Sequence, residues 1–196
     1  NRFNFSNFAL VGLGIGALAN YKKPQDRYDF YELDPLVGSI AQKYFDFGEG
    51  NQKGTNLIFG DARLSLRKAE KDQYDVLVID VFSSGSIPVH LVTQEAIAEY
   101  FTVLKKKSII LFHVSNRFVD MVPVLYAVAD KLNLFSSLKI SMEVNPPVKE
   151  SSTWVALTSD IEIHTTLLKK LKWRDVEPKK TQPWTDRYSS ILSEFF

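Results

Sequence analysis

Two textures alternate along the chain. Short unbroken apolar runs end in glycine or an acid, and between them apolar residues recur every three or four positions. The runs suit strands buried on both faces of a parallel sheet, and the periodic stretches suit helices packed against it. Phe8-Ala9-Leu10-Val11 is the first run and stops at Gly12. A short helix follows through Ala17-Leu18-Ala19, and Tyr28 to Leu33 reads as the second strand. Asp34 then caps a helix with Pro35 at its first position, as helix starts prefer. Val37, Ile40, Ala41, Tyr44 and Phe45 fall on one face of that helix.

The alternation continues. Asn56 to Phe59 is a third strand, Ala62 to Lys71 a polar helix, and Tyr74 to Val81 the most apolar strand. Thr93 caps a helix whose stripe is Ala96, Ile97, Tyr100, Phe101 and Leu104. Ser108 to Val114 is the fifth strand, and Val119, Val122, Tyr126, Ala129 and Leu132 mark another helix. Leu138 to Val144 and Thr153 to Thr158 close the pattern around Pro146-Pro147. Asp160 caps a last helix carrying Ile163, Leu167, Leu168 and Leu171. Five β/α units followed by a strand pair predict an α/β fold with a mainly parallel sheet. There is no internal repeat and no domain boundary, so residues 1–196 are expected to form a single domain, with Lys172 to Pro183 a polar connection to a C-terminal tail.

Composition narrows the function. A chain of 196 residues with 45% apolar and 24% charged residues can build one full core. A net charge of +1 gives no reason to expect a nucleic-acid partner, and the short runs Lys105-Lys106-Lys107 and Lys179-Lys180 read as solvated surface. The absence of cysteine excludes disulfides, thiolate chemistry and cysteine-based zinc sites. His90, His113 and His164 are too far apart for a zinc-binding spacing, so no metal is expected. No apolar run reaches the roughly 18–20 residues that span a bilayer, and no signal peptide is visible. The chain opens on Asn1 and enters a strand within a few residues, so it is expected to be a fragment lacking an upstream segment.

In open α/β sheets ligands gather at the carboxyl ends of the strands. After the first strand comes Gly12-Leu13-Gly14-Ile15-Gly16-Ala17, where glycines allow tight turning and close approach to a ligand. Glu32 lies 20 residues beyond Gly12, the separation of a carboxylate that grips ribose hydroxyls. This spacing serves NAD and adenosylmethionine proteins alike. Asp61, in Gly60-Asp61-Ala62, can accept from an adenine amino group or cap the following helix, and the two roles can coexist. Asp80 ends the most apolar strand before a long loop, a poor structural choice and a good functional one. His90 could line the site or serve packing. His113, Ser115 and Arg117 share one strand face, with Asn116 opposed. Arg117 could fork onto a carboxylate or pair with Asp120.

Together these pieces resemble the spermidine synthase family, and more closely its bacterial members fused to a membrane domain. The matching stretches are Val11 to Gly16, Tyr31-Glu32-Leu33-Asp34-Pro35, Gly60-Asp61-Ala62-Arg63, Tyr74 to Asp80, Ile87 to Thr93 and His113 to Arg117. The tail Trp184-Thr185-Asp186-Arg187-Tyr188-Ser189 resembles the family's late Thr-Asp-Asp motif. The resemblance implies a Rossmann-like class I methyltransferase sheet: seven strands, mainly parallel, with a C-terminal antiparallel pair and helices on both faces. It implies S-adenosylmethionine or its decarboxylated form as co-substrate, held by Gly12, Gly14, Gly16, Glu32, Asp61, Ala62 and Asp80. An amine or other small-molecule acceptor would meet Ser83, His90, Asn116, Arg117 and Asp186. The same resemblance implies a cytoplasmic location beside an upstream membrane domain and leaves room for a homodimer.

Departures from the family shape the expected mechanism. The family places Asp-x-x-Asp at the fourth strand's end, and the second Asp helps deprotonate the attacking amine; here that position is Ser83. Gly85 stands where the fused members often carry Asp, and the tail reads Asp186-Arg187 rather than Asp-Asp. The family's N-terminal β-hairpin layer has no counterpart here. Asp80 and His113 are therefore the expected catalytic pair, Asp80 orienting the nucleophile and His113 serving as base. Methyl transfer to a small molecule is the rival chemistry, and a non-catalytic nucleoside-binding module of a membrane protein is the rival class.

Overall fold

The computed structural model describes residues 3–45, 47, 53–81, 87–115, 119–141, 151–176 and 181–190. Among the described residues eight strands form one sheet in the order β3-β2-β1-β4-β5-β7-β6-β8. The strands are β1 (Asn7–Val11), β2 (Arg27–Glu32), β3 (Thr55–Phe59), β4 (Tyr74–Ile79), β5 (Leu104–His113), β6 (Phe135–Ser141), β7 (Ser152–Thr158) and β8 (Arg174–Asp175). β1 to β5 are mutually parallel, and β6, β7 and β8 run antiparallel to their neighbours. The expected sheet of seven strands thus gains an eighth, the two-residue β8, too short to leave a periodic signal.

Five α-helices among the described residues cover the faces: α1 (Pro35–Tyr44), α2 (Ala62–Leu66), α3 (Gln94–Val103), α4 (Val122–Lys131) and α5 (Ile161–Leu171). Asp34, Asp61, Thr93 and Asp160 each accept from backbone N–H groups at the helix starts. Such a cap satisfies a donor that the first turn leaves open and contributes about 1 kcal/mol. The strand residues divide by alternation. Ala9, Val11, Leu77, Ile79, Ile110 and Phe112 meet α3 and α4 on one side, while Leu10, Phe30, Val76, Val78 and Ile109 meet Ala41 of α1 and Ile163 and Leu167 of α5 on the other. β4 is buried along its whole length, as its central place requires.

Four elements depart from the periodic reading. β6 begins at Phe135 rather than Leu138, and the expected end at Val144 lies outside the described residues. α2 ends at Leu66 rather than Lys71. β5 begins at Leu104, so the lysine run lies in its exposed first half, where the register with β4 shifts. On α1 the predicted apolar face is only partly used: Ala41 is buried, whereas Ile40, Tyr44 and Phe45 are exposed. Periodicity reports which residues share a face, and only the sheet edge decides how much of that face is covered.

One polar cluster belongs to the frame. Asp29 on β2 is fully buried and accepts from Arg27, Asn56, Gln73 and Tyr74. The tail that follows the polar connection folds back on the domain: Trp184 is 1% exposed and its carbonyl accepts from Gln94 N at the start of α3.

Candidate functional site

The parallel register brings four strand ends into one row. Gly12 N donates to Tyr31 O, Gly60 N to Glu32 O, and Asp80 N to Val11 O, each at 2.9 Å. The first residue beyond each of these strands therefore lies beside one of the last two residues of its neighbour. Ile79 pairs with Phe112, which sets Asp80 opposite His113.

A cavity of about 600 Å3 opens over this row, a size that suits a nucleoside-bearing ligand. Gly12, Gly14, Glu32, Asp34, Gly60, Asp61, Ala62, Asp80 and His90 are among its lining residues. The glycines are held by geometry. Gly12 has φ 93°, and a Cβ there would lie 2.2 Å from the Asp80 carbonyl oxygen. Gly14 has φ 53° and open space where a side chain would stand, so its backbone faces the cavity bare. Gly16 turns instead against Phe47, which a Cβ would meet at 2.4 Å. Its part in the loop is therefore the turn into the following 3-10 helix.

Glu32 braces the loop. One carboxylate oxygen accepts from Leu13 N and the other from Asp34 N, both at 3.0 Å. Asp61 divides its oxygens: Oδ1 accepts from Leu64 N to cap α2, and Oδ2 lies 3.0 Å from His90 Nε2. Each carboxylate oxygen offers two lone pairs, so capping leaves room for a ligand bond.

Asp80 and His113 form a close pair, with Oδ1 and Nδ1 2.8 Å apart. Nε2 of His113 is 2.8 Å from Ser115 Oγ, which accepts from Thr153 N at 2.8 Å. The imidazole lies flat on Trp154, its register partner on β7, at 4.5 Å between ring centres and 9° between planes. Asp80 lines the cavity, and His113 adjoins it through its contact with Asp80.

A second cavity of about 490 Å3 adjoins the first, lined by Arg63, Thr93, Thr185, Asp186, Arg187 and Tyr188 among others. His90 lines both cavities, and its pairing with Asp61 marks the boundary between them. Beneath the second cavity lies a clamp. Arg63, nearly buried, donates to both oxygens of Asp186 at 2.7 and 2.8 Å. It also donates to both oxygens of Glu99 and to the His90 carbonyl. Thr93 Oγ1 donates to Asp186, and Asp186 N donates to Glu95. The Asp186 and Glu99 carboxyls are drawn down to about 2, by Arg63 first in both cases, with Arg67 adding to the effect on Glu99. The two acids push the Arg63 guanidinium well above its usual value.

Of the residues singled out from the sequence, Gly12, Gly14, Glu32, Asp61, Ala62, Asp80 and His90 meet at the first cavity, with His113 adjacent. Asp186 lines the second cavity, although Arg63 takes up both its oxygens. Ser83, Asn116 and Arg117 lie outside the described residues. Sequence reasoning passed over Arg63, Glu99 and Trp154. An Arg directly after Gly-Asp-Ala and an acid within a helix stripe carry no periodic signal, and Trp154 acquires its role only when β7 returns antiparallel beside β5.

Among the described residues no group of three or more His, Asp and Glu is arranged to hold a metal, and no helix is long and apolar enough to cross a membrane.

The strand order, the glycine turn after β1 and the acid ending β2 define the Rossmann-like class I methyltransferase fold. Solved structures share it. A probable spermidine synthase from Corynebacterium glutamicum aligns with a TM-score of 0.69 at 16% identity, over 95% of this chain and 74% of that one. A spermidine synthase in complex with the transition-state analogue AdoDATO aligns at 0.62 and 16% identity, over 90% and 62%. Human methyltransferase-like protein 13 in complex with SAH aligns at 0.63 and 20% identity, over 96% and 87%.

In sequence the chain has relatives of two kinds. It is 32% identical over 107 residues to a polyamine aminopropyltransferase of Vibrio vulnificus, covering 52% of this chain and 35% of that protein. It is 34% identical over 113 residues to an N-terminal histidine N-methyltransferase of Emericella nidulans, covering 54% and 19%. The matches thus span about a third and about a fifth of these relatives' lengths. No protein-family model matches the chain. The motif-level resemblance to spermidine synthases recurs as sequence similarity to an aminopropyltransferase and as likeness in fold to spermidine synthases.

Proposed function

We propose that the chain transfers an aminopropyl group from decarboxylated S-adenosylmethionine to an amine. One observation carries this reading: Glu32, Asp34, Asp61 and Asp80 line one cavity, and no Lys or Arg lines it among the described residues. A donor ending in an ammonium group suits an acidic wall, whereas S-adenosylmethionine adds a carboxylate that the wall would repel. Glu32 is the ribose ligand, Asp61 and Ala62 flank the adenine, and the bare backbone at Gly12 and Gly14 admits the donor's chain.

The acceptor belongs in the adjoining cavity beside His90 and Asp186, with Ser83, Asn116 and Arg117 as further proposed contacts. An alkylamine with a pKa of about 10.4 must first lose its proton. Its lone pair then forms a bond to the carbon beside the sulfonium. The carbon–sulfur bond breaks and its electron pair stays on sulfur, leaving neutral methylthioadenosine. Asp80, backed by His113, takes the proton that the ammonium loses before attack, and the product nitrogen keeps its surplus proton as a secondary ammonium. Catalysis is chiefly positioning.

Methyl transfer to nitrogen is the second reading, favoured by the sequence match to a histidine N-methyltransferase. Thermal shifts with S-adenosylmethionine, its decarboxylated form, methylthioadenosine and NAD separate the readings. A ligand at 100 times its Kd adds about 2.7 kcal/mol, a shift of roughly 5–10 °C for a chain of this size. The expected result is a clear shift with the decarboxylated donor and methylthioadenosine and less with the methyl donor. Preference for S-adenosylmethionine would establish methyl transfer, NAD alone would overturn both readings, and no shift at all would favour a non-catalytic module.

A further inference from the structure

Hydrogen-bond accounting behind Asp80 leads beyond the donor site. Ser115 Oγ has one proton to give and two lone pairs. Thr153 N–H already donates to it at 2.8 Å. Among the described residues the acceptor bonded to the hydroxyl is Nε2 of His113, at 2.8 Å. If the hydroxyl donates there, Nε2 of the neutral ring carries no proton. The ring proton then sits on Nδ1, 2.8 Å from Asp80 Oδ1, and donates to the carboxylate. The opposite tautomer would set the Nδ1 lone pair against the carboxylate. The ring cannot turn away easily, because Trp154 lies flat against it. Asp80 Oδ2 makes no hydrogen bond among the described residues, and Asp80 lines the cavity.

We propose that Ser115 is a positioning residue: its hydroxyl locks His113 in the Nδ1–H tautomer, which holds Asp80 as an oriented carboxylate with one oxygen presented to the cavity. The catalytic consequence rests on the transferase reading, but the tautomer itself does not. Three strand ends build the device, with Asp80 after β4, His113 and Ser115 at the end of β5, and Thr153 and Trp154 on β7. The arrangement gives Asp80 a partner where the second acid of the family pattern is replaced by Ser83.

The test is a long-range 1H–15N spectrum of the full chain labelled with 15N-histidine, near neutral pH. Only three histidines contribute, and His113→Gln identifies the signals of His113. The expected spectrum shows a protonated Nδ1 and an unprotonated Nε2. Ser115→Ala should change the tautomer ratio about five- to tenfold toward Nε2–H, the worth of one hydrogen bond. Ser115→Thr keeps both bonds and should restore the wild-type ratio. A general loss of folding would instead collapse every histidine signal toward its random-coil position, and Ser115→Thr controls for it. In transfer assays with the decarboxylated donor and putrescine as probe, Ser115→Ala should lower kcat about tenfold with KM for the donor unchanged. A wild-type ring carrying its proton on Nε2, or a ratio indifferent to Ser115→Ala, overturns the proposal. If the lock is observed but no sulfonium donor shifts the melting temperature, the transferase reading fails while the lock stands.

Discussion

Two acidic clusters flank His90, and they differ in how completely their oxygens are used. In the clamp, Asp186 and Glu99 spend both oxygens on Arg63, with Arg67 and Thr93 adding further donors. At the strand ends, Asp80 keeps one oxygen without a bond among the described residues, and Glu32 and Asp61 line the cavity with each oxygen engaged by one partner. A saturated charge network fixes geometry and has little left for a ligand. An unsaturated one, gathered at the end of a parallel sheet, has unmet valence facing an opening. The contrast assigns the clamp to holding the tail that walls the second cavity and the strand-end cluster to chemistry, although both are built of acids with a basic neighbour.

The sharpest way to break this contrast is Asp80→Asn. The amide keeps an acceptor for His113 but removes the charge and the proton acceptor. Transfer should fall by about 10²–10⁴-fold, while the melting temperature of the free chain stays within a few degrees of wild type. Steady-state rates and thermal unfolding on the same preparation check both halves. Equal loss of fold and activity would place Asp80 with the clamp.

Arg63→Met should do the reverse in stability. Removing one partner of a buried ion pair costs about 3–5 kcal/mol. Because Asp186 and Glu99 remain 41% and 31% exposed, about 2–3 kcal/mol is the better expectation here, or roughly 4–10 °C in melting temperature. Limited proteolysis should then cut near residues 181–190 before the body of the domain. A clamp without this effect would leave the tail held by Trp184 alone.

The smallest effect is that of acid. The Asp186 and Glu99 carboxyls lie at about 2 in the folded chain, below ordinary values of 3.8 and 4.5. A depressed folded pKa stabilises above the unfolded value and is lost as pH falls toward the folded one. Tail docking should therefore weaken between about pH 4.5 and 2. Fluorescence of the buried Trp184, isolated by comparison with Trp184→Phe, should shift red across that range and hold steady above it. Arg63→Met should abolish this dependence.

Legibility in the sequence followed the range of the forces involved. The caps Asp34, Asp61, Thr93 and Asp160 were readable because a cap is settled within three residues of its acceptor. The glycine turn and Glu32 were readable because their contacts close within one β/α unit, as the Leu13 N to Glu32 bond shows. Asp61 was read with two roles open, and the capping role is present. Trp184 and Arg63 were opaque. Trp184 docks on α3, and Arg63 meets Asp186 across 123 positions, a separation at which no periodicity survives.

By itself the chain's pattern determined the alternation of strand and helix, the mainly parallel sheet, and the set of acids and glycines that follow the strands. These depend on side-chain volume, period and local hydrogen bonding, which neighbours in sequence decide. Tertiary structure alone decided which acids remain available. Asp80 stands between apolar Ile79 and Val81 and Asp186 between Thr185 and Arg187, and neither setting says which donors reach the acid. Parallel register carried one to an open cavity opposite His113, and chain reversal carried the other into the grip of a buried guanidinium. The physical reason is that a carboxylate's chemistry is set by the donors that reach it, and in this fold those donors arrive from strands and helices far away in sequence.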